Sequence, residues 1–148
     1  MEKTTDNHWM SVAIDLATQA HSKVSPNPYV GCVIVGDQGC LSVGYHKGPG
    51  QWHAEREAIL NAQLRDISLL GSTLYVNLEP CCHFGRTPPC TDIIIESGIR
   101  RAVVAMLDPD SRMRGKGIDT LKRAGIEVTV GVCDVYKPLC ADIARTSS

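Results

Sequence analysis

The segment TLYVNLEPCCHFGRTPPCTDIIIES, residues 73–97, sets the expected architecture. Thr73 to Leu78 is rich in β-branched and aromatic side chains and predicts a strand, and Thr91 to Ser97 predicts a short helix that ends at Gly98. A loop rich in cysteine and proline joins the two. Ligands of α/β proteins bind beyond the carboxyl ends of the strands, so this loop is a candidate site.

The rest of the chain continues the alternation of strands and helices. A helix is expected from its N-cap Asp6, with an apolar face formed by Met10, Ala13, Ile14, Ala17 and Ala20. Further helices are expected at 53–64, 117–124 and 134–144, and further strands at 29–36, 40–46, 101–107 and 126–132. The order predicts an α/β fold with three layers, αβα, in which helices cover both faces of a five-stranded mixed sheet.

The composition is that of an ordinary globular domain. The 148 residues include 15 Lys and Arg against 16 Asp and Glu, and the formal charge of −1 argues against a nucleic-acid or membrane-surface partner. The apolar run 102–107 is far shorter than the ~20 residues that span a bilayer, and residues 1–10 are too polar for a signal sequence. We expect one domain, residues 1–148, in the cytoplasm, with a small-molecule partner.

The seven cysteines favour a metal or catalytic role, because their number is odd and no export signal is visible. His53-Ala54-Glu55 opens one expected helix, and Cys81 and Cys90 lie just before another. One imidazole and two thiolates suit a tetrahedral Zn²⁺ that keeps its fourth position for water, as catalytic zinc sites do. Glu55 is placed to carry a proton from that water to a departing amine.

A closed structural zinc site is the alternative use of this loop. Cys81, Cys82, His83 and Cys90 would be its four ligands. We favour the catalytic site, because a closed site has no need for His-Ala-Glu at a helix start.

His-x-Glu followed by Pro-Cys-x-x-Cys is the signature of zinc deaminases, but here eight residues separate Cys81 from Cys90. The longer loop, residues 79–90, closely resembles the zinc loop of the pyrimidine deaminases of riboflavin biosynthesis, which belong to the cytidine deaminase-like superfamily. Other segments are similar to that family in the same order: 26–35, 53–55, 104–109, 115–118 and 124–126. The resemblance covers about residues 8–132 and includes no reductase domain, which often follows in this family.

The resemblance implies a zinc-dependent hydrolase acting on a cyclic amidine C–N bond. Zn²⁺ would be held by His53, Cys81 and Cys90, with Glu55 as the proton shuttle. The substrate would be diaminohydroxyphosphoribosylaminopyrimidine, converted to the aminouracil ribosylamino phosphate. Matching positions imply a substrate pocket formed by Asn27, His46, the Ala54 backbone, His83, Arg86, Asp108 and Asp110. Members of the family commonly form homo-oligomers, so a dimer or tetramer is the implied state.

Two features depart from the family and keep other substrates open: Asp110, and Gln51-Trp52 before His53, where Trp52 could stack on a ring or fill a gap. Asp110 stands where the family usually has asparagine, and its carboxylate is unfavourable beside a phosphate unless Arg112, Arg114 and Lys116 compensate for its charge. The alternatives are deamination of another nucleobase, nucleoside or pterin-like amine, and a catalytically inactive, zinc-stabilised binding subunit. Deamination of tRNA adenosine is disfavoured, because those enzymes carry the short Pro-Cys-x-x-Cys loop and RNA binding usually requires more positive charge.

Overall fold

The structure, a computed structural model, describes residues 2–19, 30–46, 52–83 and 88–132. In these ranges the chain forms four helices and five strands. They are α1 (Glu2–Gln19), β1 (Gly31–Gly36), β2 (Gly39–Tyr45), α2 (Ala54–Leu64), β3 (Thr73–Leu78), α3 (Cys90–Glu96), β4 (Arg101–Met106), α4 (Lys116–Arg123) and β5 (Glu127–Val130). No helix of the described ranges has the length and apolar character needed to cross a bilayer.

The five strands form one mixed sheet in the order β2-β1-β3-β4-β5. Strand β1 is antiparallel to both of its neighbours, whereas β3, β4 and β5 are parallel to one another. This arrangement follows from the connections between the strands. A short turn joins the antiparallel strands β1 and β2, whereas parallel strands need a longer crossover, which helices α3 and α4 provide. The predicted mixed sheet is confirmed.

Alternate residues of the strands face two separate hydrophobic cores. On one face Val33, Tyr75 and Val103 pack against Met10 and Ile14 of α1. The other face packs against α2, α3 and α4, and its buried strand residues include Cys32, Ile34, Leu74, Val76, Ala102 and Val104. Helices therefore cover both faces of the sheet, and the predicted three-layer αβα fold is confirmed.

The role predicted for Asp6 at a helix terminus is wrong. Helix α1 begins at Glu2, so Asp6 lies inside it rather than at its N-cap. Its buried carboxylate instead accepts hydrogen bonds from the Tyr75 hydroxyl at 2.8 Å and from two nitrogens of Arg101 at 2.9 and 2.7 Å. A long-range ion pair thus takes the place of the local cap. Ala20 and the helix expected at 134–144 lie outside the described residues.

The antiparallel pairing of β1 brings the two chemically distinctive segments to one edge of the sheet. Cys32 pairs with Val76, so β1 begins where β3 ends, and the Gly31 N–H donates to Asn77 Oδ1 at 2.8 Å. Strand β2 ends at the same edge, where the His46 N–H donates to the Val30 carbonyl at 3.2 Å. The residues that follow β2 and β3, among them His53 and Cys81, therefore meet at this edge of the sheet.

Helix α2 rests unusually close to the sheet, and it carries part of the site. A Cβ atom at Gly44 would lie 2.4 Å from the Ala54 carbonyl oxygen and 2.7 Å from the Ala58 nitrogen. Beside it, the Ser42 hydroxyl donates to the Ala58 carbonyl at 2.6 Å. The first turn of α2 is thereby fixed against β2.

Candidate metal centre and active site

Three donor atoms converge at this edge of the sheet. One donor atom each from His53, Cys81 and Cys90 lies within 4.8 Å of the other two. His53 Nδ1 is 3.3 Å from Cys90 Sγ and 3.6 Å from Cys81 Sγ. Zinc bonds of about 2.0–2.1 Å to nitrogen and about 2.3 Å to sulfur at a tetrahedral angle require an N–S separation of about 3.6 Å. The donor set and its spacing therefore fit Zn²⁺.

Each donor occupies a position that the local backbone fixes. His53 is the N-cap of α2 and has extended backbone angles, φ −66° and ψ 159°. Cys90 is the first residue of α3, and its N–H donates to Cys81 Sγ at 3.3 Å. The Thr91 N–H donates to the Cys81 carbonyl at 3.1 Å. The two ends of the loop are thus held together at the N-terminus of a helix, where the helix dipole favours a thiolate.

The two thiols are electrostatically unequal. A hydrogen bond from Cys90, with further contributions from His53 and the Cys90 N–H, lowers the pKa of Cys81 to about 4. The same hydrogen bond and burial raise the pKa of Cys90. The hydrogen bond to Cys81 also raises the pKa of His53.

Glu55 lies beside the donors in a cavity of about 150 Å³. It is 4% exposed, and burial raises its pKa to about 7. The other lining residues are Val30, His46, His53, Ala54, Leu78, Glu79, Cys81 and Asp108. Cys82 and His83 do not join the donor group in the described part of the chain. The four-ligand closed site is therefore not formed by these residues.

His46 is buried against the donor group. Its ring lies edge-to-face on that of His53, with 5.5 Å between the centroids, and its Nδ1 is 3.2 Å from the Trp52 carbonyl. Burial lowers the pKa of His46. The side chain of Trp52 is 46% exposed, and the Arg56 guanidinium lies 5.3 Å from its ring centroid.

A second cavity of about 480 Å³ adjoins the first, with Leu78 and Asp108 in the walls of both. Its other lining residues are His83, Asp110, Arg112, Met113 and Lys116. Arg112 donates from Nε to Asp110 Oδ1 at 3.1 Å and from Nη2 to Oδ2 at 2.8 Å. The Arg112 guanidinium accordingly holds the pKa of Asp110 down at about 2. Arg112 thus pairs with Asp110, whereas Arg114 donates from its Nε to the Asp108 carbonyl.

The structure brings together most of the residues singled out from the sequence. Among the residues expected to bind substrate, His46, Ala54 and Asp108 line the first cavity, and His83, Asp108 and Asp110 line the second. Asn27 and Arg86 lie outside the described residues.

Glu79 belongs to the site although its sequence context did not predict it. This side chain is 6% exposed and lines the first cavity, and its carboxylate accepts three backbone hydrogen bonds. The available signal was an acidic residue between a buried strand and Pro80, a place where a carboxylate needs partners.

The fold and the donor set define a zinc-binding deaminase domain, and residues 3–106 match the family described as the cytidine and deoxycytidylate deaminase zinc-binding region. The chain is 50% identical over 134 residues to the riboflavin biosynthesis protein RibD of Aquifex aeolicus, which covers 90% of this chain and 37% of that protein. It is 43% identical over 127 residues to the diaminohydroxyphosphoribosylamino-pyrimidine deaminase of Buchnera aphidicola, which covers 86% of this chain and 84% of that one.

Among solved structures, RibD of Acinetobacter baumannii superposes with a TM-score of 0.89 at 42% identity, over 98% of this chain and 39% of that one. The chain belongs to the family of RibD-type diaminohydroxyphosphoribosylaminopyrimidine deaminases. It spans less than two fifths of the length of the RibD relatives. The zinc-binding family and the His/Cys cluster together identify Zn²⁺ as its cofactor.

Proposed function

We propose that the chain catalyses the hydrolytic deamination of diaminohydroxyphosphoribosylaminopyrimidine, with Zn²⁺ held by His53, Cys81 and Cys90. The convergence of these donors beside the buried carboxylate of Glu55 carries the proposal. The name of the Buchnera aphidicola relative, which the chain matches over most of its length, supports the choice of substrate. The reaction replaces the ring amino group with oxygen from water and releases ammonia.

When bound, zinc supplies Lewis-acid activation of the attacking water. Glu55 performs the proton transfers: a carboxylate oxygen accepts a proton from water and later delivers one to the departing amino nitrogen. Glu55 lines the same cavity as His53 and Cys81, so its carboxylate borders the space in which we place the water and the ring amino group. His46 and Ala54 line the same cavity and border the space in which we place the pyrimidine ring.

We place the ribosyl phosphate in the second cavity, because it adjoins the first at Leu78 and Asp108. The charged residues that line it in the described part of the chain are two aspartates, one arginine and one lysine, whose formal charges cancel. The described residues therefore supply no excess of positive charge for a phosphate. This observation favours a second candidate, an aminopyrimidine riboside without the phosphate.

Ammonia release by the zinc-loaded protein tests the proposal and separates the candidates. We expect turnover of the phosphorylated diaminopyrimidine, and a preference for its dephosphorylated riboside would select the second candidate instead. Screening free bases, nucleosides and pterin-like amines covers the remaining substrates. Zinc binding without turnover of any of these compounds would contradict the proposal that the chain is an enzyme. It would support a zinc-stabilised binding subunit instead.

Glu55→Gln tests the proton shuttle. The amide has nearly the same shape but cannot carry the proton, so we expect full zinc content and a loss of turnover of about 10²–10⁴-fold. Glu57→Gln is the matched control, since Glu57 lies in the same helical turn and does not line the described cavity. Equal activity of Glu55→Gln and the control would contradict the assigned role.

We also propose that the chain forms a homo-oligomer, a dimer or a tetramer. Large apolar side chains remain on the described surface, including Leu64, 85% exposed, and Leu70, 83% exposed. Burial of such side chains at an interface removes apolar area from water. Size-exclusion chromatography with light scattering at micromolar concentration measures the mass, and a monomer would contradict this part of the proposal.

A further inference from the structure

The carboxylate of Glu79 accepts hydrogen bonds from one continuous segment of the chain. Its Oε1 accepts the N–H of Asp108 at 2.9 Å and of Gly115 at 2.9 Å, and its Oε2 accepts the N–H of Ile118 at 3.1 Å. All three donors belong to residues 108–118, which lead from the end of β4 into the first turn of α4. We call these residues the cavity wall. A carboxylate has acceptor sites for all three bonds.

The cavity wall borders the space assigned to the substrate. Asp108 lines both cavities, and Asp110 and Lys116 line the second. Asp108 Oδ1 accepts the Asp110 N–H at 2.9 Å, and Asp110 in turn pairs with Arg112. The hydrogen bonds therefore run without interruption from Glu79 to the side chains that face the second cavity.

The same wall rests on the backbone just before a metal donor. A Cβ atom at Gly117 would lie 2.1 Å from the Pro80 carbonyl oxygen, so α4 can approach Pro80 this closely only because residue 117 is glycine. Glu79 and Pro80 immediately precede Cys81. The wall is thus joined to the metal loop both by the three hydrogen bonds and by direct contact.

We propose that Glu79 is a positioning residue that fixes the cavity wall relative to the metal centre and thereby sets how well the substrate fits. The inference rests on the proposed function, since it concerns the binding of that substrate. Because three backbone N–H groups already engage its carboxylate, we assign Glu79 no proton transfer. The three backbone groups that donate to its side chain all lie in the cavity wall, so removal of the carboxylate should affect the substrate more than the metal.

Glu79→Gln tests the inference with little change of shape. The amide group keeps one acceptor oxygen but turns its NH₂ donor toward backbone N–H groups, so at least one of the three bonds is lost. We expect KM to rise about 10-fold while kcat stays within about 3-fold, with one zinc retained per chain. Amide hydrogen exchange followed by mass spectrometry should show faster exchange within residues 108–118.

Asp6→Asn is the matched control. Asp6 is also a buried carboxylate with several hydrogen bonds, but its partner Arg101 begins β4 whereas the cavity wall follows the end of that strand. This variant should lose stability with an unchanged KM. If Glu79→Gln does not fold, Glu79→Asp serves in its place. It keeps the charge but shortens the side chain by one methylene, so we expect a rise in KM smaller than the ~10-fold expected for Glu79→Gln.

Two results would overturn the inference. An unchanged KM, with exchange of residues 108–118 as slow as in the wild type, would show that Glu79 does not position the wall. Loss of zinc would show that it acts on the metal loop instead. If the wild type turns over no aminopyrimidine, the proposed function fails, whereas the exchange measurement still tests attachment of the wall to Glu79.

Discussion

Replacement of Gly44 by alanine should push helix α2 away from strand β2 and disturb the metal centre. The new Cβ would lie 2.4 Å from the Ala54 carbonyl oxygen, where ordinary contacts begin at 3.4 Å, so a shift of about 1 Å is needed. The two nearest atoms, the Ala54 oxygen and the Ala58 nitrogen, are backbone atoms that cannot rotate aside. Such overpacking costs about 1–3 kcal/mol. The expected fall in Tm is about 3–10 °C.

The effect on activity should exceed the effect on stability. Ala54 lies between His53 and Glu55, so the shift moves a metal donor and the proton shuttle relative to Cys81 and Cys90. A displacement of this size near reacting groups can cost about 100-fold in turnover. Scanning calorimetry gives the Tm, elemental analysis gives the zinc content, and ammonia release gives the rate.

Gly36→Ala is the matched control, because it also adds one methyl group to a strand glycine. Its Cβ would meet the Leu41 Cδ1 atom at 2.9 Å, which is the end of a flexible side chain. A rotation of Leu41 relieves this contact, so Tm should change by less than about 2 °C. Equal Tm and turnover in the two variants would refute the argument that close approach of α2 holds the site.

Two further predictions concern the buried ion pair and the metal donors. Burial alone would raise the pKa of Asp6, but hydrogen bonds from Arg101 and Tyr75 lower it overall, so the carboxylate stabilises the fold above its unfolded pKa near 4. Asp6→Asn should therefore lower the free energy of unfolding by about 2 kcal/mol at pH 7. The difference between variant and wild type should shrink as the pH falls through the lowered pKa of Asp6. Urea denaturation at several pH values measures both effects. Cys81→Ser should lose most of its zinc and Cys82→Ser should keep it, since of these two cysteines only Cys81 belongs to the described donor group. Elemental analysis measures the zinc content, and equal contents in the two variants would contradict the ligand assignment.

The element boundaries were largely predictable because neighbouring residues determine them. Strand β3 begins and ends where the β-branched pattern of Thr73 to Leu78 predicts, and α2 starts one residue after His53. Helix α1 is the exception, since it continues past Asp6 to Glu2. The preference of aspartate for an N-cap is worth about 1 kcal/mol, and the contacts with Arg101 and Tyr75 outweigh it.

The metal donors were also predictable, because spacing restricts them. A histidine at the helix start after β2 and two cysteines around the loop after β3 converge when β1 is antiparallel to both strands, because the carboxyl ends of β2 and β3 then lie at the same edge of the sheet. The part played by Glu79 was not predictable in this way. Its hydrogen-bond donors lie 29, 36 and 39 residues further along the chain, and nothing in the local pattern marks them as partners.

The sequence alone determined the alternation of strands and helices, the donor types for zinc and the presence of Glu55 beside His53. These are properties of residues close together in the chain, governed by backbone propensity and by the chemistry of each side chain. Only the tertiary structure decided that Glu79 holds the cavity wall, that Arg112 pairs with Asp110 at the second cavity, and that Gly44 lets α2 approach β2. The physical reason is that packing distances and buried hydrogen bonds depend on which distant backbone groups the fold brings together.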